Sequence, residues 1–355
     1  MKDNETKRMT LNQLAKELNV SRTTLYNIMH NKGSFSSETE EKVEKALKEY
    51  NFRLNNHARN LAKGKQYKIA FVGFYSTRFG YFFEEIQAGI SRAEKIFQDD
   101  GLQIVTAYSD REKPDDQIRD LQRLEEEGID NFIIFCYHYE KVKDRIEEMI
   151  NRGKNIILFS RKIPGITPLC SVGSNDDLSG RMMSELLDKM GWEGARVQLL
   201  ISEHNHRDKL VVGERLEGFY KARETARKKV TILEPAWVSP IPEIEKKEIR
   251  DILDKRKPDI VLDFVCNLQE IATFLEETER QDVVVLGYDV YPEIVPYIKD
   301  LTIDAVIYQD LSSQSYKAIE LMFNYICYGK KPEKPIYYPP LNVVLSSNCE
   351  YFESL

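Results

Sequence analysis

Residues 67–74 read YKIAFVGF, a strand-like run that opens a regular alternation of strand-length and helix-length segments. A helix-length amphipathic run follows at 80–98, and a second strand-like run, LQIVTAY, occupies 102–108. The pattern continues through the strand-like runs NFIIFC (131–136) and KNIILFS (154–160). Strands that alternate with helices are typical of βαβ units, which predicts an α/β fold with a parallel sheet.

A second series of the same kind begins near residue 175. Two series of similar size predict two doubly wound α/β lobes. Ligands of such sheets bind beyond the carboxyl ends of the strands, so a cleft between two facing lobes is the expected ligand site. The strands of the second series are expected near 195–201, 230–238, 259–265, 282–288 and 303–308, with a further helix at 310–328.

Residues 10–31, on the amino-terminal side of this body, read TLNQLAKELNVSRTTLYNIMHN and predict two short helices. Apolar residues recur at helical spacing in the first helix, and Asn19 suits the left-handed conformation that ends a helix. Ser21 is a typical N-cap for a second helix from Arg22 to about Asn31. The second helix carries polar side chains on one face: Arg22, Thr23, Tyr26, Asn27 and His30.

Two such helices cannot bury their apolar stripes alone, so a third helix is expected. Residues 37–40 read Ser-Glu-Thr-Glu, a capping box that starts this helix, and Val43, Ala46, Leu47 and Tyr50 form its apolar stripe. The three helices form a unit of about 50 residues that contains a helix-turn-helix. A small helical bundle whose polar second helix is only solvated is the alternative interpretation.

The charge of the chain is unevenly distributed. Residues 1–64 contain 12 Lys and Arg against 8 Asp and Glu, whereas residues 65–355 contain 39 against 50. A basic amino-terminal segment on an acidic body is the distribution expected when only that segment contacts DNA phosphates. The net charge of -7 for the whole chain hides this difference.

Cysteine usage and apolar content indicate a cytoplasmic protein. The five cysteines do not form a CxxC pair, so reduced, packed thiols are expected rather than a disulfide framework or a zinc site. The first ten residues, MKDNETKRMT, are polar, which argues against a secretion signal. No run reaches about 18 apolar residues, so no membrane span is expected.

The stretch from residue 10 to residue 52, TLNQLAKELNVSRTTLYNIMHNKGSFSSETEEKVEKALKEYNF, resembles the DNA-binding head of the lactose-repressor family of transcriptional regulators. It keeps the Val-Ser pair of the family pattern at Val20-Ser21 and the threonine at Thr24. The family usually has Val-Ser-Arg where this chain has Leu-Tyr-Asn at residues 25–27.

The resemblance implies which head residues contact DNA. Arg22 and Thr23 would read bases at the start of the recognition helix, and Ser21 and Thr24 would contact phosphates. The Arg22 guanidinium suits a guanine edge, and the Asn27 amide suits adenine. The DNA contacts expected in the head are Ser21, Arg22, Thr23, Thr24, Tyr26 and Asn27.

Residues 55–62, NNHARNLA, resemble the hinge helix of the same family, which folds when two protomers meet on DNA. The resemblance implies that Leu61 wedges into the minor groove, where an apolar side chain unstacks a base step and kinks the duplex. It also implies that Ala58 lies at the contact between two hinges, and Asn55 is expected to contact DNA as well. A plain polar linker is the alternative interpretation.

The body is similar to the effector-binding core of this family and to the periplasmic sugar-binding proteins, over about residues 66–345. The similarity rests on GYFFEEIQAGI (80–90), VGSNDDLSGR (172–181), RLEGF (215–219), FVCN (264–267) and GYD (287–289). It implies a periplasmic-binding-protein-like fold of type I. The expected domains are a DNA-binding head at 1–54, a hinge at 55–65 and a core at 66–355, with lobe 1 at about 66–172 and 311–336 and lobe 2 at about 175–308 and 337–355.

The same resemblance implies the ligand contacts. Phe82 and Phe83 would stack on a ligand face, although their spacing also fits core residues of a helix. Hydroxyl groups both donate and accept, which suits a pocket that mixes guanidinium, amide and carboxylate groups. The polar ligand contacts expected are Arg161, Arg215, Asn267, Asp289 and Gln309.

The chain departs from the family pattern within this site. Gly80-Tyr81 replaces Asn-Pro, Ser160 replaces Asp, and Leu268 replaces a second Asp. The pocket therefore has fewer carboxylates than a standard pentose or hexose site. Arg161 without an adjacent Asp suits an anionic sugar derivative such as a sugar phosphate or a sugar acid.

The sequence thus predicts a DNA-binding transcriptional regulator, a repressor, that binds a palindromic operator as a homodimer and is controlled by a small carbohydrate-like ligand. A sugar solute-binding protein without a DNA role is the alternative. An enzyme is not expected, because GxGxxG, P-loop and Gly-x-Ser-x-Gly motifs are missing. His204 and His206 are expected in a solvated loop, so no metal and no cofactor are expected.

Overall fold

The computed structural model describes residues 11–29, 35–49, 66–75, 80–110, 113–136, 138–202, 211–239, 241–264 and 267–352. It divides the chain into two compact units, which are described separately. The first unit comprises residues 1–66 with 99–101, and the second comprises 67–98 with 102–355.

The first unit contains three helices, α1 (Leu11–Glu17), α2 (Arg22–Met29) and α3 (Ser37–Glu49). Asn19 adopts a left-handed φ of 52° between α1 and α2, as its position predicts. The three helices share one apolar cluster, as expected for helices that are too short to bury their stripes alone. Its buried members are Leu14, Ala15, Leu18, Leu25, Ile28, Val43 and Ala46.

Two helices of this unit begin with the same local motif. The Thr24 N–H donates to Ser21 Oγ at 2.9 Å, and the Thr39 N–H donates to Ser36 Oγ at 3.3 Å. The cap of α2 is therefore the predicted one. The cap of α3 is Ser36, one residue before the Ser-Glu-Thr-Glu box that we expected to cap it, because the helix itself begins at Ser37.

The second unit contains two sheets, each with helices on its faces, and the first sheet defines lobe 1. Its strands pair in the order β2 (Leu102–Asp110), β1 (Tyr67–Tyr75), β3 (Asn131–Ile134), β4 (Asn155–Ser160), β5 (Cys170–Gly173) and β12 (Ile336–Tyr337), and all these pairs are parallel. The elements up to the first crossover are β1 (Tyr67–Tyr75), α4 (Gly80–Phe97), β2 (Leu102–Asp110), α5 (Pro114–Glu126), β3 (Asn131–Ile134), α6 (Tyr139–Asn151), β4 (Asn155–Ser160) and β5 (Cys170–Gly173).

The second sheet defines lobe 2. Its elements are α7 (Asp176–Met190), β6 (Arg196–Ser202), α8 (Val211–Arg223), β7 (Thr231–Ile232), β8 (Ala236–Val238), α9 (Pro242–Arg256), β9 (Ile260–Asp263), α10 (Leu268–Glu277), β10 (Val284–Tyr288), α11 (Val295–Lys299) and β11 (Ala305–Tyr308). The chain ends with α12 (Leu311–Tyr328), β12 (Ile336–Tyr337) and β13 (Asn342–Val344). The strand order is β13-β11-β10-β9-β6-β7, with β8 also paired with β6.

Two details of lobe 2 differ from the expectation. The single strand predicted at 230–238 is two short strands, because Pro235 between them has no N–H to donate to a continuous ladder. Strand β13 pairs with β11 in the antiparallel direction, so this sheet is not purely parallel.

The chain passes from one lobe to the other three times, after β5, after β11 and after β12. Helix α12 returns to lobe 1, where Ala318, Ile319 and Phe323 share an apolar cluster with Phe71 of β1. Both faces of each sheet are covered by apolar clusters, which explains why its strands read as nearly continuous apolar runs. The prediction of two α/β lobes with parallel sheets is confirmed.

Candidate functional site

A buried ion pair joins the amino-terminal halves of two lobe 2 helices. Arg215 of α8 donates from Nε to Asp176 Oδ1 of α7 at 2.8 Å, and each of these residues is 5% exposed. The guanidinium carbon lies 4.3 Å from the centroid of the Tyr288 ring, which provides a second, cation–π partner. Burial opposes the charged form, but Asp176, Tyr288 and Asp289 outweigh it and raise the pKa of Arg215. The guanidinium is therefore held charged and in one orientation.

Two glycines allow the helices to approach closely enough for this pair. A Cβ on Gly180 of α7 would lie 1.9 Å from the Arg215 carbonyl oxygen. A Cβ on Gly218 of α8 would lie 2.2 Å from the Asp177 carbonyl oxygen. Since neither position has room for a side chain, the glycines set the distance between α7 and α8 and thereby the position of the Arg215 head.

Gln309, just after β11, extends the ion pair into a network. Its Oε1 accepts from Arg215 at 3.1 Å and from Ser174 Oγ at 2.8 Å. Its Nε2 donates to the two carboxylate oxygens of Asp289 at 2.8 and 3.0 Å. Three residues predicted to contact the ligand are thus brought together with Asp176, and they hydrogen-bond one another.

The strand ends near this network have unusual backbone conformations. Ser160 at the end of β4, Asp289 after β10 and Asp310 after β11 have φ values of 70°, 66° and 50°. Non-glycine residues in this left-handed region cost about 1–3 kcal/mol each and persist where the surrounding structure holds them. Asp310 is held by capping α12, because its carboxylate accepts from the Ser313 N–H at 2.8 Å.

A small pocket that is partly open to solvent lies beside the network and shares Ser174 and Asp176 with it. Segments of both lobes line it, including the ends of β4 and β5 and the starts of α7 and α8. Burial, and then the nearby Asp176 carboxylate, raise the pKa of Glu214 in its wall, while Lys162 opposes that shift. The lining residues are Ser160, Arg161, Lys162, Ser171, Gly173, Ser174, Asp176, Val211, Glu214, Ile336 and Tyr338.

This lining mixes donors and acceptors with apolar groups. Cationic, hydroxyl and carboxylate side chains face the same space as the phenol ring of Tyr338, which is 44% exposed. Such a mixture is suited to a small molecule with several hydroxyl groups, each of which both donates and accepts. Of the seven predicted ligand contacts, the pocket wall contains Arg161.

The predicted aromatic contacts lie at the start of α4 and make ring contacts within lobe 1. The Phe82 ring stacks on Phe135, with centroids 6.3 Å apart, and is half-buried. The Phe83 ring meets Tyr108 edge-on at 4.6 Å. Asn267, the remaining predicted contact, is half-buried at the start of α10, where its N–H donates to Asp263 at 2.7 Å.

A buried carboxyl group that the sequence analysis did not identify lies on α4, the helix of Phe82 and Phe83. Glu85 of α4 is 4% exposed, and its Oε2 accepts from the Leu311 N–H at 3.1 Å. Burial, and then the carboxylates of Asp289 and Asp310, raise the pKa of Glu85 to about 8, although the Leu311 N–H acts in the opposite direction. Four further residues were missed, namely Ser174, Asp176, Glu214 and Tyr338. Asp176 and Ser174 lie within VGSNDDLSGR, so that stretch offered a signal for them.

The predicted DNA contacts belong to the first unit. Thr23 is exposed on α2, Asn27 is partly exposed, and the Ser21 and Thr24 hydroxyls lie 2.8 Å apart at the start of the helix. The side chains of Arg22 and Tyr26 lie outside the described part of the structure, as do Asn55, Ala58 and Leu61 of the predicted hinge.

The described residues do not contain a group of three or more His, Cys, Asp or Glu that could hold a metal ion. His204 and His206 lie outside those residues. Among the helices that the structure describes, none is long and apolar enough to cross a membrane.

Comparison with known proteins gives matches over most of the chain. A model of the periplasmic binding protein domain matches residues 69–331. The sucrose operon repressor of Pediococcus pentosaceus is 28% identical over 320 residues, which cover 89% of this chain and 92% of that protein. The sucrose operon repressor of Streptococcus mutans serotype c (strain ATCC 700610 / UA159) is 26% identical over 336 residues, 91% of this chain and 94% of that one.

A similar fold is found among solved structures. The crystal structure of a putative LacI transcriptional regulator from Bacteroides fragilis superposes with a TM-score of 0.70. It covers 81% of this chain and 99% of that one at 17% sequence identity. At that identity the likeness concerns the fold.

Proposed function

Because the chain belongs to the periplasmic binding protein domain family and is a regulator of the lactose-repressor family, we propose that it represses transcription from a palindromic operator under the control of a carbohydrate-like ligand. The DNA-binding head would read the operator, and the two-lobed core would bind the ligand. The protein would act in the cytoplasm as a homodimer.

The observation that carries this proposal is the extent of the similarity to the sucrose operon repressors. The aligned portion is 89% of the chain, which is more than residues 66–355 can supply. The similarity therefore extends into the first 65 residues, where the basic segment and the three helices lie. The relatives that share both parts are repressors, which agrees with the expectation that this chain is not an enzyme.

The head supports sequence-specific binding through α2. Its buried face holds Leu25 and Ile28 in the helical cluster, and Thr23 is exposed on the outside. Arg22 would pair with a guanine and Asn27 with an adenine in the major groove, while Ser21 and Thr24 would contact phosphates. Two heads related by a two-fold axis would bind the two halves of a palindrome.

The core supports binding of a polyhydroxylated ligand. The pocket that Arg161 lines is formed by segments from both lobes and contains hydrogen-bond donors and acceptors. The network of Arg215, Asp289 and Gln309 would exchange its internal hydrogen bonds for bonds to ligand hydroxyls. A carbohydrate, or a derivative with an acidic group near Arg161, fits this chemistry.

Control would be allosteric. A ligand that binds both lobes favours the arrangement in which they are closed, because only that arrangement gives it all its contacts. A change in lobe arrangement would alter how two hinges pair on DNA. Such coupling typically amounts to about 1–3 kcal/mol and acts equally in both directions.

DNA binding is tested with the full-length protein. Fluorescence anisotropy with labelled palindromic and scrambled duplexes, at several salt concentrations, should show tighter binding to the cognate palindrome. Arg22→Ala should weaken cognate binding by about 1–3 kcal/mol and binding to random DNA by less. A protein that binds no duplex at low ionic strength would contradict the repressor proposal and leave the solute-binding alternative.

Ligand binding is tested independently of DNA. A thermal-shift screen of sugars, polyols, sugar acids and sugar phosphates should give at least one compound that raises the unfolding temperature, because a ligand that binds the folded state stabilises it. That compound should then change the affinity for the cognate duplex. A stabilising compound that leaves the affinity for DNA unchanged would remove the allosteric part of the proposal.

A further inference from the structure

Two tyrosine rings stack across the boundary between the lobes. Tyr81 is the second residue of α4 in lobe 1, and Tyr291 follows β10 in lobe 2. Their ring centroids are 4.7 Å apart and their planes are inclined by 21°. This is the offset-stacked arrangement in which aromatic pairs are favourable beyond the area they bury.

Both rings are anchored in their surroundings. Tyr81 packs against the apolar cluster of lobe 2 that includes Val290 and Ile294. Tyr291 is 8% exposed, and its hydroxyl accepts from the Gln269 N–H at the start of α10, at 3.3 Å. The partner ring of lobe 2 is therefore fixed, so the stack forms against a rigid surface.

On the lobe 1 side, the stack continues into a row of rings. Tyr81 meets Phe82 edge-on with centroids 5.9 Å apart, and Phe82 stacks on Phe135. Phe135 belongs to the buried apolar cluster of that lobe. A continuous aromatic row thus connects the core of lobe 1 to the core of lobe 2 through the ring of Tyr81.

Separation of the lobes would break this connection at one place. The faces of Tyr81 and Tyr291 would both become exposed to water, and the apolar cluster of lobe 2 would lose the Tyr81 side chain. Exposure of apolar area is unfavourable, so the contact favours the closed arrangement. The departure from the family pattern at Gly80-Tyr81, where Asn-Pro is usual, supplies the ring that makes this contact.

We infer that Tyr81 and Tyr291 are positioning residues that form a clasp between the lobes and hold the cleft closed. The clasp controls how often the cleft opens, and therefore how fast a bound ligand leaves. The effect of the clasp on ligand release rests on the proposed function, whereas its effect on lobe opening is independent of that function. An aromatic pair of this kind should change the ratio of closed to open molecules about threefold to tenfold.

The test uses full-length protein without ligand or DNA. Tyr81→Ala and Tyr291→Ala should each increase the radius of gyration measured by small-angle X-ray scattering. They should also speed hydrogen exchange in residues 267–277, where the Gln269 N–H is held by Tyr291. In scattering, the double variant should differ little from either single variant, because each one already removes the stack. In exchange, Tyr81→Ala is the informative variant, because Tyr291→Ala also removes the hydroxyl that accepts from the Gln269 N–H. Tyr81→Phe keeps the ring and should behave as the unchanged protein.

Phe83→Ala is the matched control, because the Phe83 ring contacts Tyr75 and Tyr108 within lobe 1. Circular dichroism is to be used to check that each variant is folded. The clasp is refuted if Tyr81→Ala changes neither scattering nor exchange, if Tyr81→Phe opens the lobes as Tyr81→Ala does, or if Phe83→Ala gives the same expansion. None of these measurements depends on operator or effector binding, so failure of the clasp is distinct from failure of the proposed function.

Discussion

The Arg215 guanidinium and the Asp176 carboxylate lie 2.8 Å apart, and both are almost completely removed from solvent. A buried charge without a partner is costly, so each group depends on the other. Gln309 and the Tyr288 ring complete the surroundings of the guanidinium. The centre of the candidate site is therefore also a structural element of lobe 2, and substitutions there affect stability as well as binding.

Arg215→Ala should reduce the free energy of unfolding by about 3–5 kcal/mol, because it leaves Asp176 buried without its countercharge. Asp176→Leu should reduce the free energy of unfolding by a similar amount, because it leaves the Arg215 guanidinium buried without its countercharge. The double variant Arg215→Ala/Asp176→Leu should be more stable than either single variant, since neither member of the pair is then left buried without the other. Urea unfolding followed by circular dichroism measures all three, and a double variant that loses the sum of the single losses would disprove the mutual dependence.

Two glycines on α8 should respond oppositely to the same substitution. Gly218→Ala places a Cβ 2.2 Å from the Asp177 carbonyl oxygen, so α7 and α8 must move apart at a cost of about 1–3 kcal/mol or more. Gly213→Ala has open space around its Cβ and should be neutral or stabilising by up to about 1 kcal/mol, because alanine loses less backbone entropy in a helix. Thermal unfolding of both variants checks the difference. Equal losses would mean that the helix crossing does not depend on Gly218.

The two α/β lobes could be predicted because the sequence pattern of each strand and helix lies within a short stretch of the chain. Continuous apolar runs such as YKIAFVGF become buried strands, and an amphipathic run between two of them has to cover the sheet. The division of the predicted strand 230–238 at Pro235 could have been predicted, because proline has no N–H to donate to a strand ladder. The Ser36 cap was missed because Ser36 and Ser37 are adjacent and both suit the position.

The site could be predicted only as far as the family pattern reached. Three of the predicted contacts lie far apart in the sequence, and only the resemblance to the family identified all of them: Arg215, Asp289 and Gln309. Their pairing with one another, and with Asp176, depends on how closely α7 and α8 cross, which is a property of the folded chain. The stack between Tyr81 and Tyr291 has no local signal either, because its two residues belong to different lobes.

Ser36→Ala should destabilise α3 by about 1 kcal/mol, because the Thr39 N–H loses the Ser36 hydroxyl that accepts its hydrogen bond. Hydrogen exchange in residues 38–49 measures this effect directly, since it reports local opening of the helix. Glu41→Ala, an exposed position in the middle of α3, serves as the control and should change exchange by much less. Similar exchange in both variants would show that Ser36 does not cap the helix.

The stability of the protein should fall with rising pH because of Glu85. The unfolded chain releases this proton near pH 4.5, whereas the folded chain keeps it until about pH 8. Between these values the folded state binds one proton more, so the free energy of unfolding decreases as the pH rises, on the order of 5 kcal/mol across the window. Glu85→Gln stays neutral and should remove this slope, so it should exceed the unchanged protein in stability most clearly above pH 8. Urea unfolding of both proteins from pH 5 to pH 9 gives the difference, and two parallel curves would mean that the Glu85 carboxyl is ionised in the folded protein throughout.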